Sequence, residues 1–489
     1  MTSGDDLAFA DATECVRAIG AREVSSRELL ELLVERIDRL DGPVNAVVTL
    51  DLERARARAD EADRTTAAGG SWGPLHGLPM TIKDVWETAG IRTTSGAPAL
   101  AEHVPDTNAI AVARLLDAGA IVFGKTNTPL YAGDVQTFNE VFGTTGNPCD
   151  PTRSAGGSSG GAAAAVAAGF TPLELGSDIG GSIRLPSHLC GTFGLKPSWA
   201  IVPSRGHIPG PPGSLLEVDV NSGGPMARSV RDLSLGLDVL AGPLPEDEVA
   251  WHLDLPAADV ADVSDLRVGV VLDDAAHPVA AEVRDVLRSA FDQLSDAGAL
   301  VEEIDLPVPL PDMYASWQRL VLPIIGADLP DDVRAELEAV APAMTGDDTA
   351  SRALRSMVAD VRDRARADQA RQLQRRRWAA AFETYDVVLC PVFQLVAHPH
   401  DLRPIAERTI EIGGVTSMYA DLIAWCGGIG AMLLPVAAIP AGRTAGDGPG
   451  SGLPVGMQVV GPFLRDRAVL AAAEAITNVI GGFEVPPGF

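Results

Sequence analysis

Apolar and polar positions follow two periods along this chain, and the switches between them mark the elements. Behind Ser25-Ser26-Arg27-Glu28, which has the Ser-x-x-Glu spacing of a capping box, Leu29, Leu33, Ile37 and Leu40 recur at helical spacing. A charged, Ala-rich helix is predicted over 51–67, ended by Gly69-Gly70 and Gly73-Pro74. Helices are predicted at 109–118, 229–240, 283–297 and 468–480, and a long polar one carrying many arginines at 350–382. Short apolar runs predict buried strands at 120–123, 173–175, 268–272, 300–304, 387–389 and 455–460. Residues 242–256 read as a linker and 443–452 as a Gly-rich surface loop. Helices and apolar strands alternate throughout, which predicts an α/β fold: a mixed, twisted central sheet covered by helices on both faces.

Residues 422–442 carry no charge over 21 positions, long enough to span a bilayer. Pro435, Pro440 and the glycines within the stretch favour two buried strands joined by a turn instead.

Composition narrows the function classes. The 489 residues are 46% hydrophobic and 21% charged, the balance of a folded chain rather than a disordered one. The net charge of −28 repels phosphate backbones and anionic lipid, so nucleic acid and membranes are not expected as partners. Five widely spaced cysteines with no Cys-x-x-Cys predict reduced thiols and a cytoplasmic setting. The acidic opening, MTSGDDLAFADATE, lacks a basic segment followed by an apolar one, so no secretory signal is expected.

The basic residues carry a sharper signal. Of 38, only Lys83, Lys125 and Lys196 are lysines. Arginine keeps its proton in a protein, whereas a buried lysine can lose it. A lysine retained in such a chain therefore points to chemistry.

Four patterns compete for that chemistry. Gly119 to Thr126 matches GxxxxGK[ST], but its insert, Ala-Ile-Val-Phe, is a strand core rather than a phosphate-cradling loop. Gly156-Gly157-Ser158-Ser159-Gly160 matches GxSxG, without a downstream histidine in a recognisable acid–His context. His398-Pro399-His400 could offer two metal ligands, without an indicated third. The fourth pattern joins Thr81-Ile82-Lys83-Asp84, the 156–161 Gly/Ser segment, Asp178-Ile179-Gly180-Gly181-Ser182-Ile183-Arg184, and Gly191 to Pro197. Gly180-Gly181 before Ser182 sets bare backbone N–H groups beside a hydroxyl, which is how a nucleophile and an oxyanion hole can share one loop. The same residues also suit an ordinary tight turn. Without a placed histidine, the base would be a buried lysine whose pKa falls from about 10.4 to roughly 7–8.

Together these segments closely resemble the amidase signature family. The Ser158–Ser182 interval of 24 residues is the family's, and the resemblance extends to Gly206–Pro209, Gly224–Asp232, Pro435–Gly442 and Leu453–Pro462. It implies a Ser–cis-Ser–Lys triad: Ser182 as nucleophile, Ser158 as the bridging serine behind a cis Gly157–Ser158 peptide, and Lys83 as base. It implies an oxyanion hole from the backbone N–H groups of Ile179, Gly180, Gly181 and Ser182. Asp178, Arg184 and Ser159 would fix the loop from behind, with Lys125 and Lys196 structural.

The resemblance further implies one amidase-signature domain over 1–489, with a signature core at about 70–200 and a helical substrate-cleft region at about 205–400. No metal or organic cofactor is implied. The expected reaction is hydrolysis of a small apolar or aryl amide, with a homodimer compatible. Carbamate (urethane) or ester hydrolysis on the same triad is one alternative, and the role of a glutamine-dependent amidotransferase subunit is another. Three departures bear on specificity: Ser198-Trp199-Ala200 after Leu-Lys-Pro, the unusual 133–141 loop, and Ala438 where serine is frequent. The pocket is expected to draw on Tyr131, Gln136, Phe138 and the 207–220 loop.

Overall fold

The computed structural model describes residues 7–489 except 259, 447 and 449. The first six residues of the acidic opening, and two positions of the predicted 443–452 loop, therefore lie outside the described residues.

Two sheets organise the chain. The smaller has β1 (Val47–Leu50), β2 (Pro79–Lys83) and β3 (Ile121–Thr126) in the order β1-β3-β2, with β2 and β3 parallel. The larger has eight strands: β4 (Leu173–Asp178), β5 (Phe193–Lys196), β6 (Ser222–Ala227), β7 (Arg267–Val270), β8 (Leu300–Glu303), β9 (Val387–Pro391), β10 (Val436–Arg443) and β11 (Pro454–Val460). Their order is β8-β7-β9-β11-β10-β5-β6-β4. β7 runs parallel to β8 and β9, and the other pairs are antiparallel, so the sheet is mixed as expected. β2, β3, β4 and β9 are buried along their whole length, and the apolar runs at 120–123, 173–175 and 387–389 mark only parts of β3, β4 and β9, because buried polar residues such as Lys83, Lys125, Glu174 and Asp178 complete the strands. Helices flank the large sheet.

Local signals place most elements. Ser25 accepts from the Glu28 N–H while the Glu28 side chain takes the Ser25 N–H, and the helix runs Ser26–Leu40. Ser229 caps Val230–Leu240 in the same way through the Asp232 N–H.

Three expectations change. The 350–382 pattern is two helices, Thr349–Met357 and Val361–Ala381, because the Asp360 side chain caps a new start at the Asp363 N–H. The 422–442 stretch is not two strands. It is a turn of 3₁₀ helix, Tyr419–Ile423, then the helix Ala424–Ala431, then β10. Its glycines permit close helix packing: a Cβ on Gly428 would lie 3.1 Å from Leu310 Cδ1. Among the described residues no helix is long and apolar enough to cross a membrane. Finally, the 205–400 region supplies, besides its helices and the predicted strands β7 to β9, the unpredicted strand β6 of the large sheet.

Candidate active site

Lys83 ends β2, in the small sheet, and points to the large one. Its amine donates to Ser158 Oγ at 2.7 Å and to Ser177 Oγ, on β4, at 3.0 Å. Trp86 locks the two sheets together just beyond, its indole N–H meeting the Gly176 carbonyl at 3.3 Å.

All three lysines are fully buried. Burial pulls each amine down from 10.5: Lys83 to about 7, Lys125 to about 8, Lys196 to about 7. At Lys83 the Asp178 and Glu174 carboxylates oppose that fall without cancelling it. What separates the three is their partners. Lys125 donates to the Trp86 carbonyl and the Thr88 hydroxyl, and Lys196 to the Pro197 carbonyl. A carbonyl only accepts. Lys83 alone bonds solely to hydroxyls, groups able to hand a proton to a neutral amine.

The serines sit on two touching loops. The Gly157–Ser158 peptide is cis, and the Ser159 N–H donates to the Ser182 carbonyl at 3.1 Å. Gly157 is required where it is: a Cβ there would lie 2.5 Å from the Asp134 carbonyl oxygen and 2.8 Å from Gln136 N. Ser158 and Ser159 are buried, whereas Ser182 is half-buried, the one serine of the three turned partly outward. Ser159 Oγ bonds the Ser177 carbonyl at 3.3 Å, fastening the serine loop to β4.

The 178–184 loop is braced by a buried ion pair. Arg184 clasps Asp178 with Nε and Nη2 at 2.9 and 2.8 Å, both side chains fully buried, and Nη1 reaches Gln458 Oε1 at 2.7 Å. Burial favours the protonated acid at Asp178, but the Arg184 guanidinium, the Lys196 charge and the Gly181 N–H together hold the carboxyl below 3.8. Asp178 Oδ1 also accepts the Gly181 N–H at 2.8 Å, and Oδ2 that of Ile183 at 3.2 Å. Of the four expected donors, Gly181 already has an acceptor, and among the described residues the N–H groups of Ile179, Gly180 and Ser182 have none.

The expected pocket residues fare differently. Gln136 is fully buried and its amide is spent: it donates to Tyr419 Oη at 2.9 Å and the Asp401 carbonyl at 3.1 Å, and accepts the Asp401 N–H at 3.0 Å. Tyr419 Oη and Arg408 Nη1 both donate to Asp134, so Gln136 belongs to a structural cluster that fixes the 134–136 backbone against Gly157. Tyr131 is 41% exposed on the Leu130–Ala132 turn. Phe138 is half-buried under the Arg408 guanidinium, 5.3 Å from its centroid. His207, in the expected 207–220 loop, packs edge-on to Trp86 at 4.7 Å. Burial, with the charge of Lys83 adding, pushes its imidazole down to about 3, so it is neutral.

The rival motifs dissolve. Ile121–Thr126 is buried strand, not a phosphate loop. Ser158 does precede a helix, Gly160–Ala167, but its partner is a lysine. His398 Nδ1 donates to the Pro399 carbonyl at 2.9 Å, and among the described residues no three His, Cys, Asp or Glu side chains are grouped to hold a metal ion.

Missed by the sequence reading were Ser177, Gln458 and Trp317. Ser177 had a signal, its place beside Asp178 just past the strand predicted at 173–175. Gln458 lies in the Leu453–Pro462 segment of the resemblance, but nothing there marked its reach to Arg184, 274 positions away, and Trp317, 138 positions from the Ile179 carbonyl it touches, had no signal.

The cis Gly157–Ser158 peptide and the Lys83–Ser158 contact bring a buried amine against a serine hydroxyl beside the glycine-rich 178–184 loop. The sequence profile named Amidase matches residues 28–470, and the chain belongs to that family, enzymes that hydrolyse C–N bonds. It is 37% identical to a glutamyl-tRNA(Gln) amidotransferase subunit of Roseiflexus sp. (strain RS-1), over 98% of this chain and 97% of that one. It is 32% identical to an acylamidase of Rhodococcus erythropolis, over 96% of this chain and 95% of that one. Among solved structures, a bacterial aryl acylamidase of the amidase signature family superposes with a TM-score of 0.80 at 26% identity, covering 98% of this chain and 99% of that one.

Proposed function

We propose that this chain hydrolyses a small apolar or aryl amide through an acyl-enzyme on Ser182. The observation that carries the reading is the buried Lys83 amine, 2.7 Å from Ser158 Oγ and held near pKa 7. A base poised there is half neutral at neutral pH and costs little to protonate.

Ser182 Oγ attacks the acyl carbon, its proton moves to Ser158 Oγ, and the Ser158 proton moves to Lys83 Nζ. The carbonyl π pair becomes an oxyanion facing the unengaged N–H groups of the 179–182 loop. Collapse breaks the C–N bond, and the leaving nitrogen takes the proton back from Lys83 through Ser158. Water then repeats the sequence on the ester and releases a carboxylic acid. Carbamates and esters pass through a similar oxyanion, so leaving-group preference is decided outside the triad.

A second reading is favoured by the amidotransferase relative, matched along nearly its whole length. On that reading the same triad would release ammonia from glutamine beside a partner chain.

One experiment separates the two. Anilides, primary amides, carbamates, esters and glutamine are assayed with purified wild type and Ser182→Ala. Burst release of p-nitroaniline from an acyl anilide, lost in Ser182→Ala, supports the amidase. Turnover confined to glutamine, with a second protein co-purifying from the native source, supports the amidotransferase. Equal turnover by wild type and Ser182→Ala rejects both.

A further inference from the structure

The loop bearing Ser182 is gripped from outside by a residue of a distant helix. Trp317, on Leu310–Ala327, is 6% exposed and donates its indole N–H to the Ile179 carbonyl at 2.7 Å. The same ring covers the next residue: a Cβ on Gly180 would lie 3.2 Å from Trp317 Cζ2. The indole is itself held. Gly427 of Ala424–Ala431 lies against it, where a Cβ would come within 3.4 Å of Cδ2. Tyr314, one turn earlier, stacks on it at 6.0 Å, and the Tyr314 hydroxyl is tied to the Ala420 carbonyl at 3.0 Å.

Peptide planarity gives this contact a consequence. The Ile179–Gly180 peptide is trans, so the Ile179 C=O and the Gly180 N–H point in opposite directions. Holding the carbonyl on Trp317 aims the Gly180 N–H directly away from the indole. That N–H has no acceptor among the described residues, and its neighbour on Gly181 is already committed to Asp178. Few donors remain in the loop, so the direction of this one counts.

We infer that Trp317 is a positioning residue for the oxyanion hole: its indole N–H, by holding the Ile179 carbonyl, sets the Gly180 N–H toward the oxygen that turns negative when Ser182 attacks. The inference rests on the acyl-enzyme reading above. It assigns Trp317 an effect on the transition state rather than on ground-state binding, because an N–H aimed at an oxyanion gains most when the charge develops.

The test removes the N–H and keeps the ring. Trp317→Phe is compared with a protein carrying 3-benzothienylalanine at 317, an isostere with sulfur in place of N–H. On the anilide, both are expected to lower kcat about 10- to 100-fold, less than direct loss of an oxyanion donor, with KM changed less than about twofold. Affinity for a trifluoromethyl ketone, whose serine adduct carries the oxyanion, should fall by the same factor. Affinity for an uncleaved amide inhibitor should hold. Wild-type kcat and ketone affinity in the benzothienyl protein overturn the inference, even if Trp317→Phe is impaired, since the ring alone would then be at work. So does a rise confined to KM. Ser182→Ala is run alongside: full turnover there sinks the acyl-enzyme reading itself, a result distinct from any outcome at 317.

Discussion

Lys83 Nζ, at the end of the small sheet, lies 2.7 Å from Ser158 Oγ, across 75 positions of chain. One partner comes from the end of a parallel strand, the other from the cis peptide of a Gly-rich loop. Activity is therefore expected to depend on the junction between that strand end and the loop.

Replacing the amine tests that junction. Lys83→Met should lower kcat by roughly 10³-fold or more, the upper range for loss of a general base. The fold should survive, because burying this amine opposes folding and an apolar chain of similar length does not. Near-normal turnover on the anilide would remove Lys83 from the reaction.

The pH profile follows from the direction of the shift. Burial lowers the Lys83 pKa to about 7, so the neutral base is lost below that and present above it. The rate on an uncharged substrate should rise through about pH 7 and then level. Stability carries the same sign. Between about 7 and 10.5 the unfolded chain binds the Lys83 proton that the folded chain releases, so stability rises with pH across that window. The Tm advantage of Lys83→Met over wild type should accordingly shrink from pH 7 to pH 10. A rate that stays flat from about pH 5 to 9 contradicts the lysine base.

Gly181 offers a steric test. Its φ is +120°, and a Cβ there would come 2.5 Å from Cys426 Cβ. Gly181→Ala should displace the loop and lower kcat by about 10²-fold, comparable to losing one oxyanion donor. Adding Cys426→Gly should restore only part of the rate, since the backbone strain remains. Full recovery would show that crowding alone was responsible.

The Asp178–Arg184 pair makes a prediction on stability. Both side chains are fully buried, so Arg184→Ala leaves a carboxylate without its counter-ion and should cost about 3–5 kcal/mol in urea unfolding. A loss under about 1 kcal/mol would mean that the backbone N–H groups on Asp178 suffice to hold it.

Gln136 should behave as a structural residue despite its place in a loop that reads as substrate-facing. With its amide bonded to Tyr419 and Asp401, Gln136→Ala should lower Tm and leave the KM ratio between anilides of different acyl size unchanged. A selective change in KM for one acyl group would return it to the pocket.

Much of the site was legible because its pieces are local. The capping box at Ser25 and Glu28, the apolar runs of β3 and β4, and the Gly-Gly-Ser loop at 180–182 are each written within a few residues. The helical restart at Asp360 was legible too, had the cap been weighed against the long polar pattern. The 424–431 helix was not. Its glycines look like strand or turn until a second helix is present to pack on them, and that helix begins at Leu310.

The sequence by itself determined which residues were available for chemistry: three lysines in a chain that otherwise uses arginine, and serines set among glycines. Those are matters of composition and short-range spacing, carried by any segment of the chain. Tertiary structure alone decided which lysine meets only hydroxyls, that Gln136 is turned into a cluster with Arg408 and Tyr419, and that Trp317 grips the Ile179 carbonyl. Hydrogen bonds and desolvation act over a few ångströms, and only folding brings together groups that lie scores to hundreds of positions apart.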